Sequence, residues 1–199
     1  MPEIRKAILS SCKSGLNHKP FLLVPTRTVI AYWLIPAEPA RSFFQGVIND
    51  LACRYDAPVF GPHVTVCVGA NRADAAESAI SEAAHELESI QLKALEIGHS
   101  SEFIKTLFVQ FALNAELRQL GEIIRDATQD SAYYELKPHL SLLYKKMPAA
   151  SRRELAGSIK VLFSEVIFDA LEAVRCISPT QNRADVEAWR VVTTKKLCA

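Results

Sequence analysis

Runs of apolar residues divide the chain into alternating strands and helices. β-Branched and aromatic runs that stop at Pro or Gly predict strands, whereas apolar residues at spacings of three and four predict helices. The first half is predicted to contain a strand at 28–35, a helix at 39–55, a strand at 62–68 and a helix at 72–88. The second half is predicted to contain strands at 92–97 and 103–113, a helix at 115–128, a strand at 139–144, a helix at 149–160, and strands at 166–176 and 189–194.

The N-terminal segment departs from this pattern. Residues 1–27 contain a short helical repeat at 4–9, which is followed by the breakers Gly15, Asn17, Pro20 and Pro25. We therefore predict an N-terminal appendage over residues 1–27 and a single two-lobed domain over residues 28–199.

Pairs of adjacent strands determine the predicted fold class. The strands at 92–97 and 103–113 flank a turn-like Gly-His-Ser-Ser segment and predict a hairpin, and the last two strands form a second pair. Antiparallel pairs combined with helices between strands favour an α+β fold over a doubly wound parallel sheet. Each half also contains a strand, a helix, a histidine-containing strand and a helix in that order. This repeat predicts two lobes with pseudo-twofold symmetry around a central cleft, with the helices on the outside.

Composition and charge limit the expected partners. The 199 residues include 23 Lys or Arg and 22 Asp or Glu, so the formal net charge is +1 and no global field attracts a polyanion. Long nucleic acid is therefore not an expected partner, and a monomer that binds a small molecule is predicted. No run approaches the roughly 18 apolar residues of a membrane span, so no membrane association is predicted.

The cysteines and the N-terminus indicate the compartment. The five cysteines are scattered and lack CxxC spacing, which argues against a zinc site or a disulfide framework. We predict no metal or other cofactor and a cytoplasmic location. The N-terminus lacks a continuous apolar region of the secretory type, but it has Glu3 as its only acid before Glu38. A basic transit peptide is therefore the remaining alternative.

Two matching strand motifs carry the candidate chemistry: Pro62-His63-Val64-Thr65-Val66 and Pro138-His139-Leu140-Ser141-Leu142. Side chains alternate between the faces of a strand, so each histidine and the hydroxyl two residues later share one face. The intervening apolar residues, with Val68 in the first strand, are predicted to face the core. A lone histidine in an apolar strand is more often structural, but two copies in corresponding places favour a shared catalytic role.

This arrangement is suited to phosphoryl chemistry. One imidazole can act as a general base while a second acts as a general acid near neutral pH. The hydroxyls of Thr65 and Ser141 can donate hydrogen bonds to phosphate oxygens and place the phosphorus between His63 and His139. No metal ion is then required. We predict His63 and His139 as catalytic residues and Thr65 and Ser141 as phosphate-binding residues.

The paired motifs resemble the two-histidine (2H) phosphoesterase superfamily, which is defined by two H-x-[ST]-x motifs on facing sheets of a bilobal fold. Within it the chain is most similar to cyclic phosphodiesterases, through the runs at 32–36, 139–144 and 189–192, and the resemblance covers roughly residues 28–197. It implies hydrolysis of a nucleoside 2′,3′-cyclic phosphate or of ADP-ribose 1″,2″-cyclic phosphate to a phosphomonoester. The sequence leaves open which histidine is the base.

Two aromatic residues also resemble family positions that line the pocket. Trp33 could stack on a nucleobase, and Tyr144 could reach the phosphate. Packing in the core is the alternative for both residues. Strict alternation places Tyr144 on the face opposite His139, so its role in the pocket requires a β-bulge or a twist at the strand end.

Two other functions compete with the cyclic phosphodiesterase. A non-catalytic nucleotide-binding module could have the same cleft, although binding alone does not demand two titratable imidazoles. An enzyme acting on 2′-5′ linkages or cyclic ends of RNA is the alternative within the enzymes, and the net charge of +1 weakens it.

Overall fold

The computed structural model describes residues 25–129 and 134–198. Most of the predicted appendage, including its helical repeat at 4–9, lies outside the described residues. Within the described ranges, no helix combines the length and apolarity that crossing a membrane would require.

The observed elements follow the predicted order. The first half forms β1 (Arg27–Pro36), α1 (Ala40–Tyr55), β2 (Val64–Ala70), α2 (Ala73–Glu86) and β3 (Ile90–His99). A 3₁₀ turn (Phe103–Lys105) then precedes β4 (Leu107–Phe111), α3 (Ala115–Thr128), β5 (His139–Leu143), α4 (Ala149–Ser158), β6 (Glu165–Ser178), α5 (Arg183–Glu187) and β7 (Arg190–Lys196). The pattern did not predict α5, because five residues are too few to show a helical repeat.

The described strands form one antiparallel sheet that curves into a ring. Their order is β1-β2-β5-β4-β3-β6-β7, and β1 also pairs with β6, which closes the ring. The α+β class and the predicted two-lobed architecture are confirmed. The facing sheets of the prediction are two parts of this ring, and they meet where β2 and β5 share the single registered pair Val64–Leu140.

The helices cover the outside of the ring. α3 packs against β2 and α1 packs against β5, while α2 packs against β6 and β7. α3 has the predicted bounds: the side chain of Asn114 accepts a hydrogen bond from the Leu117 amide at 2.9 Å, and Gln129 ends the helix in the left-handed conformation. The main core lies between the helices and the outer sheet face, so the inner face remains available for a cleft.

A β-bulge in β2 changes which residues face the cleft. The pairing with β1 shifts between Tyr32 and Trp33, and Val66 is the extra residue. Beyond a bulge the alternation of side chains inverts. Val68 consequently lines the cleft, and the prediction that it faces the core is wrong.

A second bulge occupies the equivalent place in β5. The pairing with β4 shifts between Leu107 and Phe108, and Leu142 is the extra residue. Leu142 corresponds to Val66, because each is the fourth residue of its H-x-[ST]-x motif. This bulge, followed by the end of β5 at Leu143, brings Tyr144 to the cleft side of the sheet.

The predicted strand at 103–113 begins later than expected. Phe103–Lys105 forms a 3₁₀ turn instead, because side-chain hydroxyls bond to the backbone and compete with strand pairing. Ser100 Oγ donates to the Lys105 carbonyl at 2.8 Å, and the buried Thr106 hydroxyl donates to the Lys145 carbonyl at 2.6 Å. These bonds hold the turn over the end of β5.

Candidate active site

Four motif side chains share the inner face of the sheet. Val64 and Leu140 are an antiparallel pair, and both are fully buried in the core outside the ring. Neighbours of a paired residue point to the opposite face. His63 and Thr65 of one motif therefore lie beside His139 and Ser141 of the other, and all four line one cavity.

His63 is enclosed by aromatic rings. Its side chain is only 6% exposed. The Trp33 indole stacks on the imidazole with a centroid separation of 3.8 Å and an interplanar angle of 13°. Burial, opposed by a hydrogen bond to Gly61 and aided by the charge of His139, lowers the pKa of His63 to about 4. His63 is therefore neutral at pH 7.

His139 has a more open and more charged environment. Its imidazole is half-buried and meets the Phe108 ring edge-on, with centroids 5.5 Å apart. Lys105 Nζ lies 4.5 Å from the centroid of the same Phe108 ring. Burial lowers the pKa of His139, and Lys105 lowers it further, while the hydrogen bond to Lys137 and the charge of Glu102 raise it.

Both imidazoles are held by the same backbone contact. His63 Nδ1 lies 2.7 Å from the carbonyl oxygen of Gly61, and His139 Nδ1 lies 2.8 Å from that of Lys137, two residues earlier in each case. A carbonyl oxygen only accepts hydrogen bonds, so Nδ1 carries the proton in both rings. In the neutral rings Nε2 therefore has a free lone pair.

The two motif hydroxyls differ in their contacts. Thr65 Oγ1 makes no hydrogen bond with any residue in the described ranges, so it is free to donate. Ser141 Oγ instead donates to the carbonyl oxygen of Ile104 in the 3₁₀ turn at 2.8 Å. Donation from Ser141 to a ligand therefore requires its hydroxyl to leave Ile104.

The two predicted aromatic residues both line the cavity. One face of Trp33 is covered by His63. Tyr144 stacks on Phe60 at 3.7 Å, and burial raises the pKa of its phenol, an effect that the neighbouring Ser141 hydroxyl opposes. The structure thus brings Trp33 and Tyr144 together with the four motif residues, while their contacts with substrate stay a prediction.

The cavity has a volume of about 260 Å³, close to the lower bound of roughly 300 Å³ that is typical of small-molecule pockets. The lining residues that did not emerge as candidates from the motifs include Ile104, Tyr134, Cys176, Thr180 and Trp189. They come from the 3₁₀ turn, the segment before β5, β6 and the segments that flank α5, and pairing of distant strands rather than local spacing places them there.

Lys137 and Lys145, which flank the second motif, each contact another part of the protein. Lys137 forms an ion pair with Glu135 at 2.7 Å, and Lys145 Nζ donates to the backbone carbonyl of Asp56 at 2.9 Å. In the described part of the chain, no group of three or more His, Cys, Asp or Glu side chains is arranged to hold a metal ion. The metal-independent reaction stays a prediction.

The cyclic phosphodiesterase-like protein family matches residues 28–197 of the chain. The chain belongs to this family. The predicted assignment to the two-histidine phosphoesterases, and to phosphodiesterase enzymes, is confirmed.

The chain is also similar to proteins of known name or structure. The chain is 24% identical over 175 residues to a cyclic phosphodiesterase of Arabidopsis thaliana, and the match covers 86% of this chain and 96% of the plant protein. Apo LigT of E. coli has a TM-score of 0.55 at 14% identity, and the match covers 86% of this chain and 98% of LigT. LigT complexed with 3′-AMP has a TM-score of 0.51 at 12% identity, with coverage of 86% and 99%. A protein of Thermus thermophilus has a TM-score of 0.53 at 18% identity, with coverage of 85% and 97%. At these identities the solved structures establish the fold.

Proposed function

We propose that this protein hydrolyses a small cyclic phosphate, a nucleoside 2′,3′-cyclic phosphate or ADP-ribose 1″,2″-cyclic phosphate, to a phosphomonoester without a metal ion. The observation that carries this proposal is the pair of imidazoles in one cavity, each with Nδ1 bound to a backbone carbonyl and Nε2 available for proton transfer. The complex of the structural neighbour LigT with 3′-AMP supports a nucleotide-sized ligand.

The reaction needs one proton acceptor and one proton donor. Nε2 of the base takes a proton from water while the water oxygen forms a bond to phosphorus. The bond from phosphorus to one ribose oxygen breaks, and Nε2–H of the acid donates a proton to that oxygen. The product is a phosphomonoester with one free ribose hydroxyl, and proton exchange with solvent restores both imidazoles. Thr65 and Ser141 donate hydrogen bonds to the non-bridging phosphate oxygens.

The environments favour His63 as the base and His139 as the acid. The base must be neutral before the reaction, and burial under Trp33 favours the neutral form of His63. The acid must be protonated, and the more exposed His139 loses less hydration when it is charged. Since the substrate is an anion, its binding favours protonation of this imidazole further.

The test is turnover in the presence of EDTA. The four nucleoside 2′,3′-cyclic phosphates and the ADP-ribose cyclic phosphate are incubated separately with the protein, and products are identified by phosphorus NMR. A 2′-5′-linked dinucleotide tests the RNA-directed alternative. We expect a phosphomonoester from at least one cyclic phosphate with EDTA present. Nucleotide binding without turnover of any of these compounds would favour the non-catalytic module.

Three alanine variants complete the test. His63→Ala and His139→Ala are each expected to lower turnover by roughly 100- to 10,000-fold, the usual range for one acid or base group. His85→Ala is the matched control, because His85 is exposed on α2 outside the ring. Full activity in either of the first two variants would refute the proposed roles.

A further inference from the structure

A second cavity, with Phe103, Tyr144 and Gln181 among its lining residues, adjoins the cleft and has a volume of about 320 Å³. Tyr144 lines both cavities. In the 3₁₀ turn, Ile104 lines the cleft and its neighbour Phe103 lines the second cavity. After β6, Thr180 lines the cleft and Gln181 lines the second cavity. The same three segments therefore form walls of both cavities.

Positive charge is concentrated at the second cavity. Three cations line it: Lys145, Lys146 and Arg183. Asp56 is the only acid among the described residues that line it. Because the whole chain has a net charge of only +1, this excess is local. An anionic group of a ligand in the cleft is attracted toward this side.

Both lysines keep their charge available for a ligand. Lys145 Nζ donates to the backbone carbonyl of Asp56 at 2.9 Å, but a carbonyl is neutral and an ammonium has three N–H donors. Lys146 is exposed, and its side chain makes no hydrogen bond or ion pair with a residue in the described ranges. Neither charge is therefore neutralised by a carboxylate in this part of the structure.

Arg183 is paired only with exposed carboxylates in the described part of the chain. Its guanidinium lies 2.7 Å from Asp56 Oδ1 and 3.7 Å from Glu187 Oε1, and these two side chains are 93% and 60% exposed. Ion pairs this exposed contribute little, because water competes for both partners. A guanidinium has five N–H donors in a planar fork that matches two oxygens of a phosphate. A phosphate in the cavity can therefore take the place of these carboxylates at little cost.

The sizes of the cavities indicate how far a ligand extends. The cleft alone, at about 260 Å³, lies at the lower bound for small-molecule pockets, whereas the two cavities together lie well within the usual range of roughly 300–1,000 Å³. Lys145 follows Ser141 by four residues, so at most about 13 Å of chain separates them. In a ribose cyclic phosphate, the 5-oxygen is the next position that carries a phosphate.

We propose that the second cavity binds the phosphate group on the 5-oxygen of the substrate ribose. The inference rests on the proposed function, and it selects among the proposed substrates. ADP-ribose 1″,2″-cyclic phosphate carries a pyrophosphate on that oxygen, whereas a plain nucleoside 2′,3′-cyclic phosphate carries none. The cyclic phosphate lies between the two histidines, and the second phosphate lies among Lys145, Lys146 and Arg183. Substrates with a 5-phosphate or a 5-pyrophosphate are therefore preferred.

Calorimetric titration of the wild-type protein with two matched ligands tests this subsite. Adenosine 2′-monophosphate lacks a 5′-phosphate and adenosine 2′,5′-bisphosphate has one, and neither contains the cyclic ester that the proposed reaction opens. We expect the bisphosphate to bind roughly 10-fold more tightly, through charge-assisted hydrogen bonds from the cations. Equal dissociation constants for the two ligands would overturn the inference.

Variants that remove one charge locate the gain in affinity. Lys146→Gln and Arg183→Gln should each lower the ratio of the two dissociation constants roughly 2- to 5-fold, as expected for exposed charge pairs. Lys160→Gln is the matched control, because Lys160 is exposed after α4 and lines neither cavity. Thermal unfolding confirms that each variant is folded. If a folded double variant of Lys146 and Arg183 kept the wild-type ratio, the second cavity would not be the subsite.

Turnover distinguishes small substrates from RNA ends. kcat/KM is measured for adenosine 2′,3′-cyclic phosphate with and without a 5′-phosphate, and for a dinucleotide with a 2′,3′-cyclic end. A terminal phosphate carries a charge of about −1.5 to −2 at pH 7, whereas the phosphodiester of the dinucleotide carries one negative charge. We expect the 5′-phosphorylated mononucleotide to have the highest kcat/KM, by roughly 10-fold over the form without a 5′-phosphate. A higher value for the dinucleotide would overturn the preference for small substrates.

The two proposals fail in different ways. Absence of turnover with every cyclic phosphate would refute the proposed function. The calorimetric comparison needs no turnover, so tighter binding of the bisphosphate that depends on Lys146 and Arg183 would still establish the subsite. Turnover without any preference for a 5-phosphate would instead refute the subsite and leave the proposed function intact.

Discussion

The two halves of the cleft have the same backbone but different surroundings. Each contains a histidine whose Nδ1 bonds to the carbonyl two residues earlier. Each has a β-bulge at the fourth motif residue, Val66 in one half and Leu142 in the other. The neighbouring strand also contributes an aromatic residue opposite each motif hydroxyl: Trp33 opposite Thr65 and Phe108 opposite Ser141.

The side chains around each histidine remove this symmetry. Trp33 covers one face of the His63 imidazole, whereas the Phe108 ring meets the His139 imidazole edge-on. The ammonium group of Lys105 lies over the Phe108 ring. The Phe108 ring lies against Gly98, and a Cβ at position 98 would come within 2.4 Å of the ring atoms. Any other residue at position 98 would therefore displace the Phe108 ring. The comparison shows that the repeated motif supplies two imidazoles with the same backbone contact. The neighbours that are not repeated give these imidazoles different burial and different nearby charges.

The largest expected effect is the loss of turnover when either histidine is replaced. The loss in His139→Ala should depend on the leaving group of the substrate. On a cyclic phosphate, His63→Ala and His139→Ala should each lose roughly 100- to 10,000-fold in turnover. A phosphodiester with a p-nitrophenolate leaving group needs little protonation. On that substrate the loss should stay large for His63→Ala and become small for His139→Ala. Initial rates with both substrates measure this difference, and the reverse pattern would exchange the acid and the base.

The second effect concerns stability against pH. The pKa of His63 is about 4 in the folded protein and about 6.5 in the unfolded chain. The unfolded state therefore binds more protons between these values, and stability is full above pH 6.5 and falls as the pH drops toward 4. Between pH 7 and pH 4 the free energy of unfolding should fall by about 3 kcal/mol more in the wild type than in His63→Asn.

Urea unfolding at a series of pH values measures this difference. His139→Asn is the matched comparison, and it should flatten the pH dependence less, because His139 is only half-buried. If the free energies of unfolding of wild type and His63→Asn changed with pH in parallel, burial of His63 would not be the cause of the pH dependence.

The third effect separates the two hydroxyls. Thr65→Val removes a free donor to an anionic oxygen and should lower kcat/KM roughly 10- to 100-fold. Ser141→Ala should cost less, roughly 2- to 10-fold, because Ser141 must give up its bond to Ile104 before it donates to a ligand. Steady-state kinetics of both variants test the order, and a larger loss for Ser141→Ala would mean that the bond to Ile104 breaks at little cost.

The smallest effect distinguishes the charges near His139. Lys105 lowers and Glu102 raises its pKa. If His139 is the acid, its deprotonation sets the alkaline limb of the kcat/KM profile against pH. Lys105→Met should move that limb to higher pH and Glu102→Gln to lower pH, each by a few tenths of a unit at low salt. An unchanged alkaline limb in both variants would argue against His139 as the acid.

The local sequence was sufficient for most of the elements and for the motif faces, but it did not predict the short α5 or the 3₁₀ turn before β4. β-Branched runs, helical spacing and the Asn114 cap depend on neighbours within a few residues, so the bounds of α3 follow from the pattern. Alternation likewise places His63 with Thr65 and His139 with Ser141. The prediction for Val68 was wrong because a bulge depends on the partner strand, which local alternation does not contain.

The sequence by itself therefore determined most of the elements, the fold class, the two chemical motifs and the resemblance that the family match confirms. Only the tertiary structure decided how the motifs differ. Trp33 covers His63, Phe108 contacts His139, and Ser141 donates a hydrogen bond to Ile104. Each of these contacts joins residues that are about 30 or more positions apart in the chain. The physical reason is that burial and charge depend on distances across the ring, and pairing between distant strands sets those distances.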